Sequence, residues 1–426
     1  MAGNIAMPAQ KRILQRIKSN YGWSLLSDVG GKGFLFLVTV YLARNLGVKQ
    51  FGLITYAQTL AVYFWLGVDL GINMYGSREI SRDKQNAAEV INPLLTLRIV
   101  CGLVVFAVFI AAASVIGEDP VQRMVYMGSA FYLLTRAINI EWVMRGFERF
   151  EYMAVGNVLT FASMMLLVVV MVKDGSDVVA AAYIWSFSYL IGGALMLWAL
   201  RARLGIKWRP SFGMAEWKRH LRESLHFTAS AMLINLYAYL PILFLGLFST
   251  RYDVGIFSAP FKVVTSMVFL VEILPLSLYP IFSELHTTDR EKFRRLFYRF
   301  LAVSAVMGLA IGVTGAVFGR QIMMLIFGER YTDSVRVLVV IIWFAAMVPL
   351  RMSFRTVIAA SGFQRFYTLV AAFGVVGFTT FFFGLWKLAG MPLLNATCAA
   401  LVATEVGVLG RAAAVWHFRG ARSLYA

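Results

Sequence analysis

The sequence predicts an all-α integral membrane protein, with twelve transmembrane helices in two pseudo-symmetric halves of six. Three observations predict it. Of its 426 residues, 60% are hydrophobic and only 15% charged, with a mean hydropathy of +0.72; a soluble chain carries about a quarter charged residues. The apolar residues form continuous runs of about twenty, the length that crosses a bilayer as helix, and not the alternation of a β-barrel. The basic residues gather between these runs, chiefly in every second loop.

In the first half the runs are 20–46, 50–75, 89–116, 121–145, 153–173 and 178–201. In the second they are 221–249, 253–283, 294–319, 333–360, 364–388 and 391–416. Lys11, Arg12, Arg16 and Lys18 precede the first run, and no cleavage pattern follows it, so it reads as an uncleaved anchor. The poor loops are "GVKQ", "GEDPVQ", "KDGSD", "STRYD" and "KLAG". The rich ones hold Arg78, Arg82 and Lys84, then Arg145 and Arg149, then "RARLGIKWRPSFGMAEWKRHLRE", "ELHTTDREKFRRLFYR" and Arg365, with Arg419 and Arg422 after the last run. Only "GRQIMMLIFGERYTDSVR" is long and basic on the poor side. The positive-inside rule therefore places both termini in the cytoplasm of a multi-pass cytoplasmic (inner) membrane protein. The net charge of +18 is then an orientation signal, and no nucleic acid is expected as partner. Pro93, Pro241, Pro275, Pro280 and Pro349 fall inside runs and predict kinks.

The longest polar stretch divides the chain into 1–205, a linker 206–220, and 221–426. A shift of 203 residues lays "KQFGLITYAQ" over "YDVGIFSAPF" and Asp69 over Glu272. "GFERF" (146–150) and "GFQRF" (362–366) need a shift of 216, so an insertion is expected near "GRQIMMLIFGERY". Both halves start in the cytoplasm, which makes the repeat parallel. The two pentapeptides read as one structural corner used twice, with the Gly permitting a tight turn.

Ionisable groups inside spans are expensive and face a cavity or a partner. Asp28 and Lys32 are spaced i,i+4: either they neutralise each other, or Lys32 faces a cavity with Asp28 tuning it. Arg98 and Arg136 have no acid nearby in the sequence; for Arg98, about two turns from the cytoplasmic end, snorkelling is the alternative, and Arg136 lies deeper. Arg351 and Arg355 share a face of the tenth span. Lys32, Arg98, Arg136, Arg351 and Arg355 are the candidate substrate contacts, because guanidinium groups grip phosphate oxygens bidentately. Asp28, Asp69 and Glu272 are the candidates for ion coupling, with hydrogen bonding between helices as the competing role for Asp69 and Glu272. His226, Lys387 and Glu405 complete the set of intramembrane charges. Cys101 and Cys398 lie in apolar runs without metal or redox spacing. No nucleotide, metalloprotease or serine-hydrolase motif occurs, so no cofactor, metal or catalytic activity is expected.

The stretch from Tyr21 to Asp83, with "YLARNLGVKQFGLITYA" and "DLGINMYGSREIS", resembles the N-terminal region of Wzx-like oligosaccharide flippases, and so does "IFGERYTDSVRVL" (326–338) in its place before the tenth span. These polysaccharide biosynthesis proteins share a superfamily with MATE drug exporters and lipid II flippases. The resemblance implies two six-helix lobes in a V around a central cavity. It also implies cation-coupled alternating access that moves a polyprenyl-diphosphate-linked oligosaccharide from the cytoplasmic to the outer leaflet. The bilayer and polysaccharide polymerase or assembly proteins are the partners it implies. The alternatives are a MATE-like exporter of organic molecules, which would favour acidic cavity residues, and a membrane-embedded polysaccharide assembly component, which would need a large outer loop.

Overall fold

The computed structural model describes residues 9–362 and 364–417. It contains fourteen α-helices and no strand among the described residues. Among the described residues, seven helical segments are long and apolar enough to cross a membrane, which marks a multi-pass membrane protein. The twelve apolar runs become fourteen helices through one merger and three breaks.

The merger is α1 (Ala9–Asp69), which carries the first two runs across a bend at Gly47 (φ 73°). Only a residue without a Cβ adopts that conformation cheaply. The second run does not continue to 75: it ends where Leu70 (φ 43°) and Gly71 (φ 80°) turn left-handed, and α2 (Ile72–Arg82) starts afresh. After α3 (Ala87–Ile116), Asp119 caps α4 (Pro120–Ala137) by accepting from the Gln122 amide at 2.8 Å, with Pro120 in the first turn. The fourth run breaks at 138–140, and Asn139 Oδ1 restarts the chain as α5 (Glu141–Gly146) by accepting from the Glu141 amide at 3.0 Å. The helix α6 (Phe150–Met171) follows. The sixth run breaks at Ser188 between α7 (Val178–Phe187) and α8 (Tyr189–Ala202).

The second half holds α9 (Met214–Phe248), α10 (Arg251–Thr288), α11 (Arg290–Phe327), α12 (Ser334–Ala360), α13 (Gln364–Phe383) with a π-helical turn behind it, and α14 (Leu393–Val415). Gly308, Gly312 and Gly315 form a stripe on α11 against Ala346, Trp343 and Ile342 of α12. Small residues in this pattern let two helices approach closely where lipid supplies no hydrophobic drive.

The chain divides into two compact units, 1–45 with 60–229 and 46–59 with 230–426. In the first unit the connector is tied down. The Arg209 amide donates to Asn92 Oδ1 (3.0 Å), the Ser211 amide to Thr96 Oγ1 (3.1 Å), and His220, 3% exposed, shares a hydrogen bond with the Tyr75 hydroxyl (2.9 Å). In the second unit the segment 46–59 lies directly on the start of α10. A Cβ on Gly52 would strike the Arg251 carbonyl and the Gly255 amide, and one on Gly255 would strike the Val48 carbonyl. These two glycines are the pair that the 203-residue shift superimposes.

Helix starts locate the insertion. Ala87 and Arg290 are 203 residues apart, whereas Pro120 and Ser334 are 214 apart, as are Phe150 and Gln364. The 11 extra residues are 8 in α11 (38 against 30 in α3) and 3 in the loop after it (328–333 against 117–119). The pentapeptide register is therefore two residues out. The left-handed residue is Glu148 (φ 60°) at the first corner and Gly362 (φ 81°) at the second, 214 apart. Gly146 is instead the last residue of α5, pressed on Ile80. The corner recurs, but the matching letters do not occupy matching places in it.

Gly52→Val and Gly255→Val are each expected to destabilise the purified protein by at least the ~1–3 kcal/mol typical of overpacking. Gly33→Ala, where a Cβ meets open space, is expected to be neutral or slightly stabilising. Melting temperatures in detergent check both.

Candidate functional site

The first unit gathers its intramembrane charges at the two helix breaks. Asp69 is the last residue of α1, and its carboxylate accepts from Asn73 Nδ2 across the turn (2.5 Å). Arg98, in the fourth turn of α3, is only 1% exposed. Its Nη2 lies 3.6 Å from Asp69 Oδ1, and its Nη1 donates to the Asn139 carbonyl at 3.2 Å. That carbonyl lies just past the end of α4, where helix interruption leaves backbone oxygens unpaired and partially negative. The guanidinium also sits 4.7 Å from the centre of the Trp65 ring.

Arg136 faces the same tryptophan at 5.6 Å, is 5.3 Å from the Tyr189 ring, and has Glu141 Oε2 3.8 Å from its Nη1. Two arginines, two acids and the aromatic faces form one cluster, in which Glu141 is shared with Arg145 at 3.5 Å. Tyr132 and Trp185, stacked at 4.5 Å, close it on the aromatic side. Arg98 Nε and Arg136 Nε are buried with no hydrogen-bond partner among the described residues.

The second unit has a smaller counterpart. Glu405 of α14, 0% exposed, accepts from Arg351 Nε at 2.5 Å, and the Tyr237 hydroxyl of α9 lies 3.4 Å from its other oxygen. Arg355, one turn beyond Arg351 on α12, is exposed and donates to Met352 Sδ at 3.8 Å. Lys32 is exposed on α1, on the helix that meets α6 through Gly31 and through Ser27, whose hydroxyl accepts from Asn157. The side chains of Asp28, Glu272 and His226 lie outside the described residues.

The arrangement therefore sorts the sequence candidates. Arg98 and Arg136 do have acids, Asp69 and Glu141, and Arg351 has Glu405. Lys32 and Arg355 are the exposed cations of the five. A further cation, not among the sequence candidates, is Lys262, half-buried on α10, with no ion pair or hydrogen bond through its Nζ among the described residues. It stands eleven residues into the helix, roughly 16 Å from its start. Its signal was available, as the one basic residue in the apolar run 253–283. No group of His, Cys, Asp and Glu with metal-binding geometry occurs among the described residues.

A model of the polysaccharide biosynthesis protein family matches residues 17–286, which is 270 of the 426 residues. A putative O-antigen transporter of Escherichia coli strain K12 is 23% identical over 322 residues, covering 74% of this chain and 77% of that protein. A probable low-salt glycan biosynthesis flippase of Haloferax volcanii is 21% identical over 318 residues, covering 74% of this chain and 66% of that protein. The fold is similar to that of a multidrug resistance MATE family transporter of the MOP superfamily, with a TM-score of 0.63, 14% identity, and coverage of 93% of this chain and 96% of that one.

Removing one partner from a buried ion pair costs ~3–5 kcal/mol, because the other charge is left uncompensated. Asp69→Asn is expected to lower folded yield and melting temperature by an amount in that range. Combining it with Arg98→Met should recover most of the loss. A double-mutant cycle on melting curves measures the coupling; additive effects would mean that the pair does not stabilise the unit.

Proposed function

The chain belongs to the polysaccharide biosynthesis protein family, and from that membership we propose that it flips a polyprenyl-diphosphate-linked oligosaccharide from the cytoplasmic to the outer leaflet of the cell membrane. The observation that carries this reading is the family match across 270 residues, supported by relatives named as O-antigen transporter and glycan flippase over three quarters of the chain. The likeness to MATE structures supports the fold alone. The protein is a carrier and not an enzyme. It has twelve spans in two lobes of six, both termini in the cytoplasm, and polysaccharide assembly proteins as its downstream partners.

Alternating access by the two halves, coupled to a cation gradient, is the mechanism proposed. The cargo's invariant part is an anionic diphosphate on an apolar chain, so its recognition calls for cations within the membrane that are not already spent on acids. Lys262 meets that description best. Lys32 and Arg355, which have partners of their own, are proposed as further contacts on their exposure alone. Arg98, Arg136 and Arg351 act through the packing of their own unit, since a substrate phosphate would have to displace Asp69, Glu141 or Glu405 to reach them. Asp28 and Glu272 remain the candidates for the coupling proton or ion, ahead of Asp69, whose carboxylate faces Arg98.

Deleting the gene is expected to leave lipid-linked oligosaccharide stalled on the cytoplasmic leaflet. Sensitivity to cationic drugs without stalling would instead assign a MATE-like exporter. In complementation, Lys262→Gln should lower flux about tenfold, the loss of one charge-assisted contact of ~1.4 kcal/mol, at normal protein level, with Lys262→Arg largely restoring it. Arg351→Ala should lose flux together with folded protein, because it strands the buried Glu405; Arg136→Ala should lose less folded protein, because Glu141 keeps Arg145 at 3.5 Å. Unchanged flux in Lys262→Gln removes that residue from the cargo path.

A further inference from the structure

The first turns of α11 carry a cluster that the transport reading does not use. Arg294, Arg295 and Arg299, with Glu291, Tyr298 and Ala302, line a recess of about 520 Å³. Glu291 is paired with Arg295 at 2.7 Å, with both side chains exposed. Arg299 has no acid partner among the described residues, and the recess is left with a net charge of +2 (three Arg, one Glu).

What lies below the recess identifies its occupant. From Arg295 the stripe continues through Arg299, Ala302, Val306, Leu309 and Val313 in steps of three and four, one face of a helix. Val306, Leu309 and Val313 are 70%, 60% and 46% exposed. The opposite side is occupied: Phe293, Phe297 and Phe300 enter a core with Phe354 and Trp416, and the glycine stripe meets α12. In a helix that crosses a membrane, an exposed apolar face contacts acyl chains, so the cationic end of that same face stands at headgroup level. Tyr298, 57% exposed among the arginines, is the amphipathic side chain that favours this depth. A space lined by three guanidinium groups and Ala302, on the same helix face as a lipid-facing stripe, fits a phosphate that carries its own acyl chains.

We propose that Arg294, Arg295 and Arg299 bind the phosphate headgroup of an anionic diacyl phospholipid, with Tyr298 at its edge and the acyl chains along the Val306–Val313 stripe. By the charge rule this end of α11 is cytoplasmic, the leaflet whose anionic lipids attract such clusters. The proposal requires that α11 crosses a membrane with its first turns on the cytoplasmic side; it is independent of the cargo.

The test is native mass spectrometry of the full chain in detergent with added phosphatidylglycerol or phosphatidylcholine. Wild-type protein is expected to retain phosphatidylglycerol preferentially. The variant R294Q/R295Q/R299Q should lose ~10–100-fold in apparent affinity for it, as three cations at a charged surface would, while its melting temperature stays put; the single R299Q, at an exposed position, guards against a folding artefact and should show a partial loss. Equal retention by wild type and both variants overturns the proposal. So does displacement of the lipid by excess inorganic phosphate, which would make the recess a soluble-anion site. A variant that loses farnesyl diphosphate while keeping phosphatidylglycerol overturns it too, by assigning the recess to a prenyl diphosphate.

Discussion

A guanidinium that is 1% exposed inside a membrane protein dictates its surroundings. Arg98 cannot snorkel to water from that depth of burial, so compensation has to come from the protein. A carboxylate, a backbone carbonyl and an indole face supply it. Each is available because a helix is imperfect nearby. Asp69 stands at the end of α1 because Leu70 and Gly71 leave the helical conformation. The Asn139 carbonyl is free to accept because α4 has stopped and α5 has not begun. An unbroken fourth span would have committed that oxygen to its own ladder. The breaks are therefore the means by which the first unit tolerates a buried cation.

This explains which parts of the molecule were legible in the sequence. Apolar runs announce spans because hydrocarbon thickness sets their length, and the run boundaries fall within a few residues of most helix ends. Gly47 announced its bend. Gly71 stands at the next break in the same way, beside Leu70, an unusual residue for a left-handed conformation, whereas 138–140 reads Ile-Asn-Ile, an ordinary stretch of an apolar run. At 138–140 the interrupted backbone is matched by a tertiary contact, the Asn139 carbonyl accepting from Arg98. The charge pairs were hidden because they too are tertiary. Asp69 and Arg98 are 29 residues apart, and Arg351 and Glu405 are 54 apart, so each side chain could be named but not its partner.

The internal repeat was half legible. Gly52 and Gly255 could be matched by a shift of 203 because a physical requirement stands behind both letters: each backbone is crossed by the other, and neither position has room for a Cβ. The GFxRF pair matched just as well by letter and misled by two residues. Its first glycine is needed for packing on Ile80, its second for a positive φ. One residue type was selected by two different constraints, so identity there is not equivalence. Helix starts give the firmer register, since caps and interruptions follow the backbone.

The division of charges also bears on how such a protein can respond to cargo. Asp69–Arg98, Arg136–Glu141 and Arg351–Glu405 each lie within one unit. A pair of this kind contributes the same free energy wherever its unit moves as a body, so it rigidifies the unit without favouring one state over another. A ligand shifts a conformational equilibrium only through interactions that differ between the states. The groups able to supply such a difference are those whose electrostatic partner is not built into the same unit. In the second unit the half-buried Lys262 is the plainest example among the described residues. A lysine half-buried on an apolar helix without an acid among the described residues is costly to keep. An anionic cargo that lowers that cost in only one state would convert it into a bias toward that state, which the sealed arginine pairs cannot provide.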